Sequence, residues 1–376
     1  MWTKRIPPLR EALAEIADFR QASGRRYELT SILLLACVAM MCGARSEQAI
    51  ADWGENYGRR WLQRLGIKRQ RGPSQSTIHR VLKGIDCRQL EAALARWSQS
   101  VLGMQRETTA QALEGVAMDG KTLRGAKRQR AADVHLLSLC SHRLGLVLNQ
   151  VAVSDHHNEL THREELLADV MLHGYVVTGD ALVTHKEAAA QITAQGGDYL
   201  LVVKDNQPTL RAEIELVFHT TTLQENIETA TTTSTHGGRI ERRTLQTSDA
   251  LKSWDGWAGL EQVLRLQRTV TEKKTGQTRQ EIAHAICSVS RARATAAELL
   301  ALWRGQWTIE NRLHWVRDVT FDEDRSQVRT QRIPQVMAAL RNTAIALLRL
   351  QGEANIAAAC RRYAARPALA FAAIRL

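Results

Sequence analysis

The chain has 376 residues, 44% hydrophobic and 24% charged, with a formal net charge of +12. Those proportions exclude a disordered chain and leave room for two or three domains and a sizeable core. The basic excess points to a polyanionic partner, nucleic acid first among candidates, although it also serves solubility. The longest apolar run, Ile32 to Cys42, is too short to span a bilayer and lies behind a charged N-terminus. The six cysteines form no CxxC pair, as expected of reduced core residues in a cytoplasmic protein.

Residues 1–108 read as a helical N-terminal domain. Thr30 can cap a helix that ends at Gly43, and Ser46 can cap SEQAIADWG. A basic connector follows, with Arg59, Arg60, Arg64, Lys68, Arg69 and Arg71. Pro73 and Ser74 open a short helix, SQSTIHRVLKGI, and Asp86 caps the next, CRQLEAALARWSQSVL. Short helices with one polar, basic member are how helix-turn-helix modules meet DNA. The candidate is Ser76 to Lys83, with His79, Arg80 and Lys83 outward; an ordinary solvated helix face is the alternative.

The period changes at Glu114. GVAMDGKTLRG is a short apolar strand that ends at Asp119, and VHLLSLCSH and LGLVLNQVAVS are two more strand-like runs. A helix is expected over Thr161–His173. YVVTGD is another apolar strand ending in an acid, Asp180, followed by a helix from Thr184 to Gln195 and the strand DYLLVVK. The pattern predicts a mixed α/β sheet over 109–204. Residues 205–293 are rich in Thr and carry a hairpin-like pair around KKTGQ, which reads as a β-rich insertion. The catalytic fold is expected to resume over 294–350, with a basic tail over 351–376.

The stretch WRGQWTIENRLHWVRDVTFDEDRSQVRT, read as a helix, puts Trp303, Gln306, Trp307, Glu310, Leu313, His314 and Arg317 on one packed stripe. A carboxylate on a packed face needs a cation. Arg317 can supply it, or Glu310 can bind a metal together with other acids. Asp119 and Asp180 are those acids, because ligands gather at the carboxyl ends of strands in α/β sheets. Three carboxylates without Cys or a convincing His cluster suit Mg²⁺, with Mn²⁺ as a substitute, rather than Zn²⁺. Two such ions about 3.5–4 Å apart clamp the attacking and leaving oxygens of an in-line phosphoryl displacement. A turn or helix cap is the plainer reading of each Asp alone.

Basic residues surround these acids. Lys121, Arg124, Lys127, Arg128 and Arg130 follow Asp119, and Arg304 and Arg317 flank Glu310. They can hold phosphates near the scissile bond or belong to solvated loops. Trp303, Trp307 and Trp315 are expected in the core, with a base-stacking surface as the alternative. Asp318, Asp322, Glu323 and Asp324 are expected on a surface turn, paired with nearby arginines.

The motifs CGARSEQAIADWG, MDGKTLRGA, GDAL, GGDYLLVVKDNQPTL, HGGRIERR and QWTIENRLHWVRDVTFDEDRSQVRT occur in order over nearly the whole chain. In them the chain resembles bacterial insertion-sequence transposases of the DDE class, in the branch that includes the H-repeat-associated proteins of Rhs elements. The resemblance implies a ribonuclease H-like catalytic domain with Asp119, Asp180 and Glu310 as its metal triad. It implies cleavage at the terminal inverted repeats of an element, then attack of the freed 3′-OH on target DNA. The partners it implies are double-stranded DNA and a second copy in a synaptic homodimer, with no membrane, in the cytoplasm at the nucleoid. Gln306 departs from the His usual in this branch, and His185 from the usual Gln. Trp303, Arg304 and Arg317 occupy turns where related transposases carry Tyr, Arg and Lys. A DDE-like nuclease without strand transfer and an inactive DNA-binding descendant are the other two classes. A strand-transfer assay separates the first, and a metal-dependent cleavage assay the second.

Overall fold

The computed structural model of the chain describes residues 7–57, 59–108, 113–124, 134–153, 159–220, 226–254 and 256–375. The chain divides into two compact units. The first comprises Met1–Gln111, Gly120–Val170 and Thr308–Leu376; the second comprises Ala112–Asp119 and Met171–Trp307.

The first unit is mostly helical. Its N-terminal part holds α1 (Leu9–Ala14), α2 (Leu29–Met41), α3 (Glu47–Asn56), α4 (Arg59–Arg64), α5 (Gln75–Gly84) and α6 (Cys87–Thr108). Helix α2 is apolar all round and buried along nearly its whole length, as an all-apolar helix must be in water. Its N-cap is Glu28 rather than Thr30, which lies inside the first turn. Ser46 caps α3 as expected, accepting from Ala49 N. Asp86 Oδ1 accepts from Arg88 N and Gln89 N at the start of α6. The same unit carries β2 (His135–Ser141), paired antiparallel with β3 (Val147–Val153), and α7 (Glu159–Ala168).

The second unit holds β4 (Tyr175–Gly179), α8 (Lys186–Ala194), β5 (Asp198–Val203), α9 (Pro208–His219), β6 (Glu228–His236), β7 (Arg239–Ser248), β8 (Gln262–Glu272), β9 (Thr278–Cys287) and α10 (Ala296–Gly305). Strand β1 (Glu114–Thr122) runs through both units. Strand order is β3-β2-β1-β4-β5-β9-β8-β7-β6. The alternation of strands and helices up to β5 is the expected one. The Thr-rich stretch is β-rich as expected, with α9 as an element that its composition did not announce. Its strands extend outward from β5, where Leu200 pairs with Cys287. Helix α10 is fixed by a capping box at Thr295 and Glu298. Its Leu299, Leu300 and Trp303 share a core with Val176, Leu200, Leu245, Leu264 and Ala285.

After α10 the chain makes one short α-helical turn, α11 (Trp307–Ile309), and then π-type turns over Glu310–His314 and Val316–Thr320. Helix α12 (Ile333–Leu350) is buried along its length and packs with α2 in the first unit. The last residues form α13 (Ile356–Ala365) and α14 (Ala368–Ala373). The basic tail expected over 351–376 is therefore folded: Tyr363 and Phe371 are buried, and Phe371 lies 4.6 Å from the Trp61 ring. The arginines of this segment had hidden its apolar helical spacing. Among the described residues no helix is long and apolar enough to cross a membrane.

Candidate metal and nucleic-acid site

Strands β1 and β4 are parallel neighbours, in register from Glu114↔Tyr175 to Met118↔Gly179. Their apolar residues are buried because both faces of such strands are covered. The residue after the last pair is an acid on each strand: Asp119 and Asp180, both half-buried. Adjacent strands lie about 4.8 Å apart, so two acids at the same level are neighbours. Gly179 is required at this point, since a Cβ there would lie 2.8 Å from Val183 Cβ.

The loop after Asp180 is tightly held. Asp180 Oδ1 accepts from Leu182 N at 3.0 Å. Thr184 Oγ1 donates to Val202 O at 2.6 Å and contacts Asp180 O at 3.1 Å. Asn206 Nδ2 donates to Ala181 O at 2.7 Å. Thr184 and Asn206 thus fix the backbone that carries Asp180. Sequence reasoning passed over both, although Asn206 lies within the quoted run GGDYLLVVKDNQPTL.

Gln306 is the joint between α10 and the two strands. Its Nε2 donates to Met118 O at 3.2 Å, and its Oε1 accepts from Thr178 Oγ1 at 2.5 Å. Met118 precedes Asp119, and Thr178 lies two residues before Asp180. One amide therefore ties the ends of β1 and β4 to the end of α10, one helical turn before Glu310.

The packed stripe expected through Glu310 is not what forms. Trp303, Leu313, His314 and Arg317 are buried, but Glu310 is exposed, and Trp307 and Trp315 are 65% and 55% exposed. The expected core places of Trp307 and Trp315 are corrected accordingly. The helix is interrupted by a turn at Gln306, and π-type turns begin only at Glu310, within which Leu313, His314 and Arg317 keep their buried places. Glu310 has no need of a burial partner, and Arg317 is not one.

Two cations expected at the DNA are turned inward. Arg317 is fully buried and pairs with Glu323 at 2.7 Å, while Glu323 also meets Arg341 at 2.8 Å. Burial pushes the Glu323 carboxyl up, but the two guanidiniums outweigh it and hold it below the usual range. Lys121, 9% exposed, meets Asp318 at 2.7 Å and Asp324 at 3.9 Å. Arg317 is engaged by a buried carboxylate and Lys121, itself buried, by two half-buried ones, which leaves neither a free face for a phosphate. Both residues are thus removed from the expected phosphate contacts. Glu323 is correspondingly inside the protein rather than on the surface turn expected for it.

Spacing places His314 on the packed stripe but does not select it among the metal ligands. It is buried, and burial first, then the charges of Arg317 and Lys121, push its imidazole down to about 3, so it is neutral. Among the described residues, Asp119, Glu310 and His314 form a group that could hold a metal ion.

The remaining cations differ among themselves. Arg80 and Lys83 are exposed on α5, opposite the buried Ile78, Val81 and Leu82. His79 on the same helix is half-buried and lies 3.0 Å from Glu47. Arg59, Arg60, Arg64, Lys68, Arg69 and Arg71 of the connector are exposed, as are Arg124 and Arg304. Lys127, Arg128 and Arg130 lie outside the described residues.

Comparison with known proteins identifies the family. Residues 110–347 match the family model "Transposase DDE domain", and residues 10–98 match "DDE_Tnp_1-associated". The chain is 30% identical over 351 residues to "Putative transposase YncI" of Escherichia coli O157:H7, covering 92% of this chain and 88% of that protein. It is 29% identical over 353 residues to "H repeat-associated putative transposase YhhI" of Escherichia coli strain K12, covering 91% and 90% respectively. Among solved structures, "Cryo-EM structure of piggyBac transposase synaptic complex with hairpin DNA" matches with a TM-score of 0.41 and 10% identity, over 98% of this chain and 77% of that one. That likeness is too slight to bear on fold or chemistry. The family match covers well over half of the chain, and the chain belongs to the DDE-domain transposases.

Proposed function

We propose that this transposase cuts the ends of its own element and joins the freed 3′-OH to target DNA, with Asp119, Asp180 and Glu310 holding divalent metal. The observation that carries the reading is the register of β1 and β4, which sets Asp119 beside Asp180, with Gln306 tied to both strands one turn before Glu310. The donor set fits the metal: these carboxylates are hard oxygen ligands, suited to Mg²⁺ with Mn²⁺ as a substitute. Two bound ions would stabilise the charge that develops on the attacking and leaving oxygens. Exposure of Glu310 and partial exposure of Asp119 and Asp180 leave these carboxylates accessible to a DNA strand. His314, neutral and one turn beyond Glu310, can donate a ring nitrogen beside Asp119 and Glu310, a cluster that does not include Asp180.

The fold fits a ribonuclease H-like catalytic core, and the exposed cations divide the work of binding. Arg124 and Arg304 flank the acidic residues and would hold phosphates near the cut. Arg80 and Lys83, with the connector behind them, would bind the terminal inverted repeat. His79 orients α5 through Glu47 rather than facing DNA. Two copies would pair two ends.

The test uses duplex DNA carrying an element end, with Mg²⁺. The intact chain should nick it and transfer the 3′-OH strand to a second duplex. Asp119→Ala, Asp180→Ala and Glu310→Ala should each lose both steps and keep DNA binding. Cleavage at the normal rate by any one of the three would remove that residue from the site. Cleavage without joining would leave a nuclease, and metal-independent binding without cleavage a DNA-binding descendant.

A further inference from the structure

Strand β6 ends the sheet. It pairs with β7 residue for residue, from Glu228↔Thr247 to His236↔Arg239, with no bulge. Among the described residues no strand pairs with its other edge. A sheet edge of this kind presents a row of backbone N–H and C=O groups ready to bind another strand. Proteins commonly blunt such edges with lysine, proline or a bulge. From Thr229 to Thr235 this strand reads TATTTST, with no charge, no proline and no glycine.

The sequence of β6 is complementary to itself when reversed. Antiparallel pairing of two copies about Thr232 puts Thr231 opposite Thr233, Ala230 opposite Ser234 and Thr229 opposite Thr235. It also puts Glu228 of one copy opposite His236 of the other, twice by symmetry. Both are exposed, and neither has an ion-pair partner among the described residues. Thr229, Thr231, Thr233 and Thr235 project from one face and are exposed. Thr231 already bonds Thr244 across to β7, hydroxyl to hydroxyl, at 3.2 Å. The same hydroxyl pairing can recur across a β6–β6 seam, where cross-strand Thr pairs add stability.

We infer that the edge of β6 is a homodimer seam, formed by antiparallel pairing with β6 of a second copy about a two-fold axis at Thr232. A two-fold contact uses the same patch on both subunits, and a strand that is its own complement meets that condition. Closure of the two edges on each other also explains why this edge lacks protection: one partner satisfies it and ends the assembly. The seam would serve the pairing of two DNA ends, and it rests on the transposase reading for that purpose alone. It is tested without DNA, so its failure leaves the cleavage reading untouched.

The direct test is Thr232→Cys in the full chain under mild oxidation. Directly opposite residues of an antiparallel pair lie about 4.5–5.5 Å apart at Cα, within disulfide range. A covalent dimer should form, while Thr244→Cys, one strand inward, should stay monomeric. A monomeric Thr232→Cys chain, or equal crosslinking of both variants, overturns the seam. Sedimentation then tests the register. His236→Glu sets like charges opposite each other at both ends and should weaken dimerisation roughly tenfold. Adding Glu228→Lys to it should restore the dimer. A dimer indifferent to His236→Glu, or a double variant no tighter than the single, overturns the pairing.

Discussion

The cations beside the acidic residues and the cations of α5 carry the same charge in opposite surroundings. Lys121 and Arg317 are buried against Asp318 and Glu323, whereas Arg80 and Lys83 are exposed and meet no carboxylate among the described residues. In sequence the first pair looks better placed for DNA, since it flanks Asp119 and Glu310. In the fold it is neutralised by acids of the same stretch, and its work is to hold the backbone that carries the acidic residues. A net charge of +12 says that a polyanion is attracted, but not by which residues. Only cations left over after internal pairing can bind phosphate.

The largest effect should come from breaking the interior pairing. Glu323 is held by two buried guanidiniums, so Glu323→Ala strands both. Removing one side of a buried ion pair costs about 3–5 kcal/mol. Urea denaturation should show a loss in that range, while the salt dependence of DNA binding by the folded fraction stays as it was. A loss under about 1 kcal/mol would mean that water reaches the cluster and that the pairing is superficial.

Glu91 sharpens the contrast, because it is equally buried but meets amides instead of guanidiniums. Gln150 Nε2 donates to it at 2.9 Å, and Gln335 Nε2 donates to both its oxygens, at 3.0 and 2.9 Å. Burial pushes its carboxyl up to about 7, against the lowering effect of those amides. The folded chain then binds a proton that the unfolded chain has already released. Stability from this group is complete below about 4.5 and falls as pH rises towards 7, by about 3 kcal/mol in all. Glu323 behaves oppositely, since its carboxyl is lowered and its contribution is lost only on the acid side. Melting temperature against pH should therefore slope downward over that window, and Glu91→Gln should flatten the slope. An unchanged slope in Glu91→Gln would assign it to other groups.

What the sequence disclosed, and what it hid, follows the same line. Asp119 and Asp180 were legible because short apolar strands that end in acids need only local pattern. Ser46 and Asp86 were legible as caps for the same reason. The exposure of Glu310, Trp307 and Trp315 was not, because the residue pattern reads as one unbroken α-helix, whereas the chain turns at Gln306 and changes helix type at Glu310. The pairing of the acidic turn with arginines was legible, but the burial of Lys121 and Arg317 was not, because the turn reads as lying at the surface. Helix α9 was masked by the Thr-rich strands after it, and the folded end of the chain by its arginines. Gln306 was noticed as a member of the packed stripe and as a departure from the family pattern; its contacts with Met118 and Thr178 give it a structural task.

That task gives a smaller and more selective prediction. Gln306→Ala removes both hydrogen bonds and leaves the carboxylates in place. If the amide only positions the strand ends, cleavage should slow by roughly tenfold to a hundredfold, in the range of a small misplacement of reacting groups. Affinity for DNA should not change. Raising the Mg²⁺ concentration should recover part of the lost rate, because looser ligands bind metal more weakly. Loss of DNA binding in this variant would place Gln306 on the DNA instead.

The smallest effect should be the one at α5, and it completes the comparison. Each phosphate neutralised contributes about 0.9 to the slope of log affinity against log salt. Arg80→Ala and Lys83→Ala should each lower that slope by about one contact, while thermal stability moves by no more than about 0.5 kcal/mol, as for exposed side chains. If Arg80 reads a base edge as well, its loss should cost about 1–3 kcal/mol on the inverted repeat and less on random DNA. Lys121→Ala should do the reverse, lowering stability and leaving the slope alone. Should Lys121→Ala flatten the slope while Arg80→Ala and Lys83→Ala leave it intact, the division between structural and DNA-facing cations would be inverted, and end recognition would move from α5 to the residues beside Asp119.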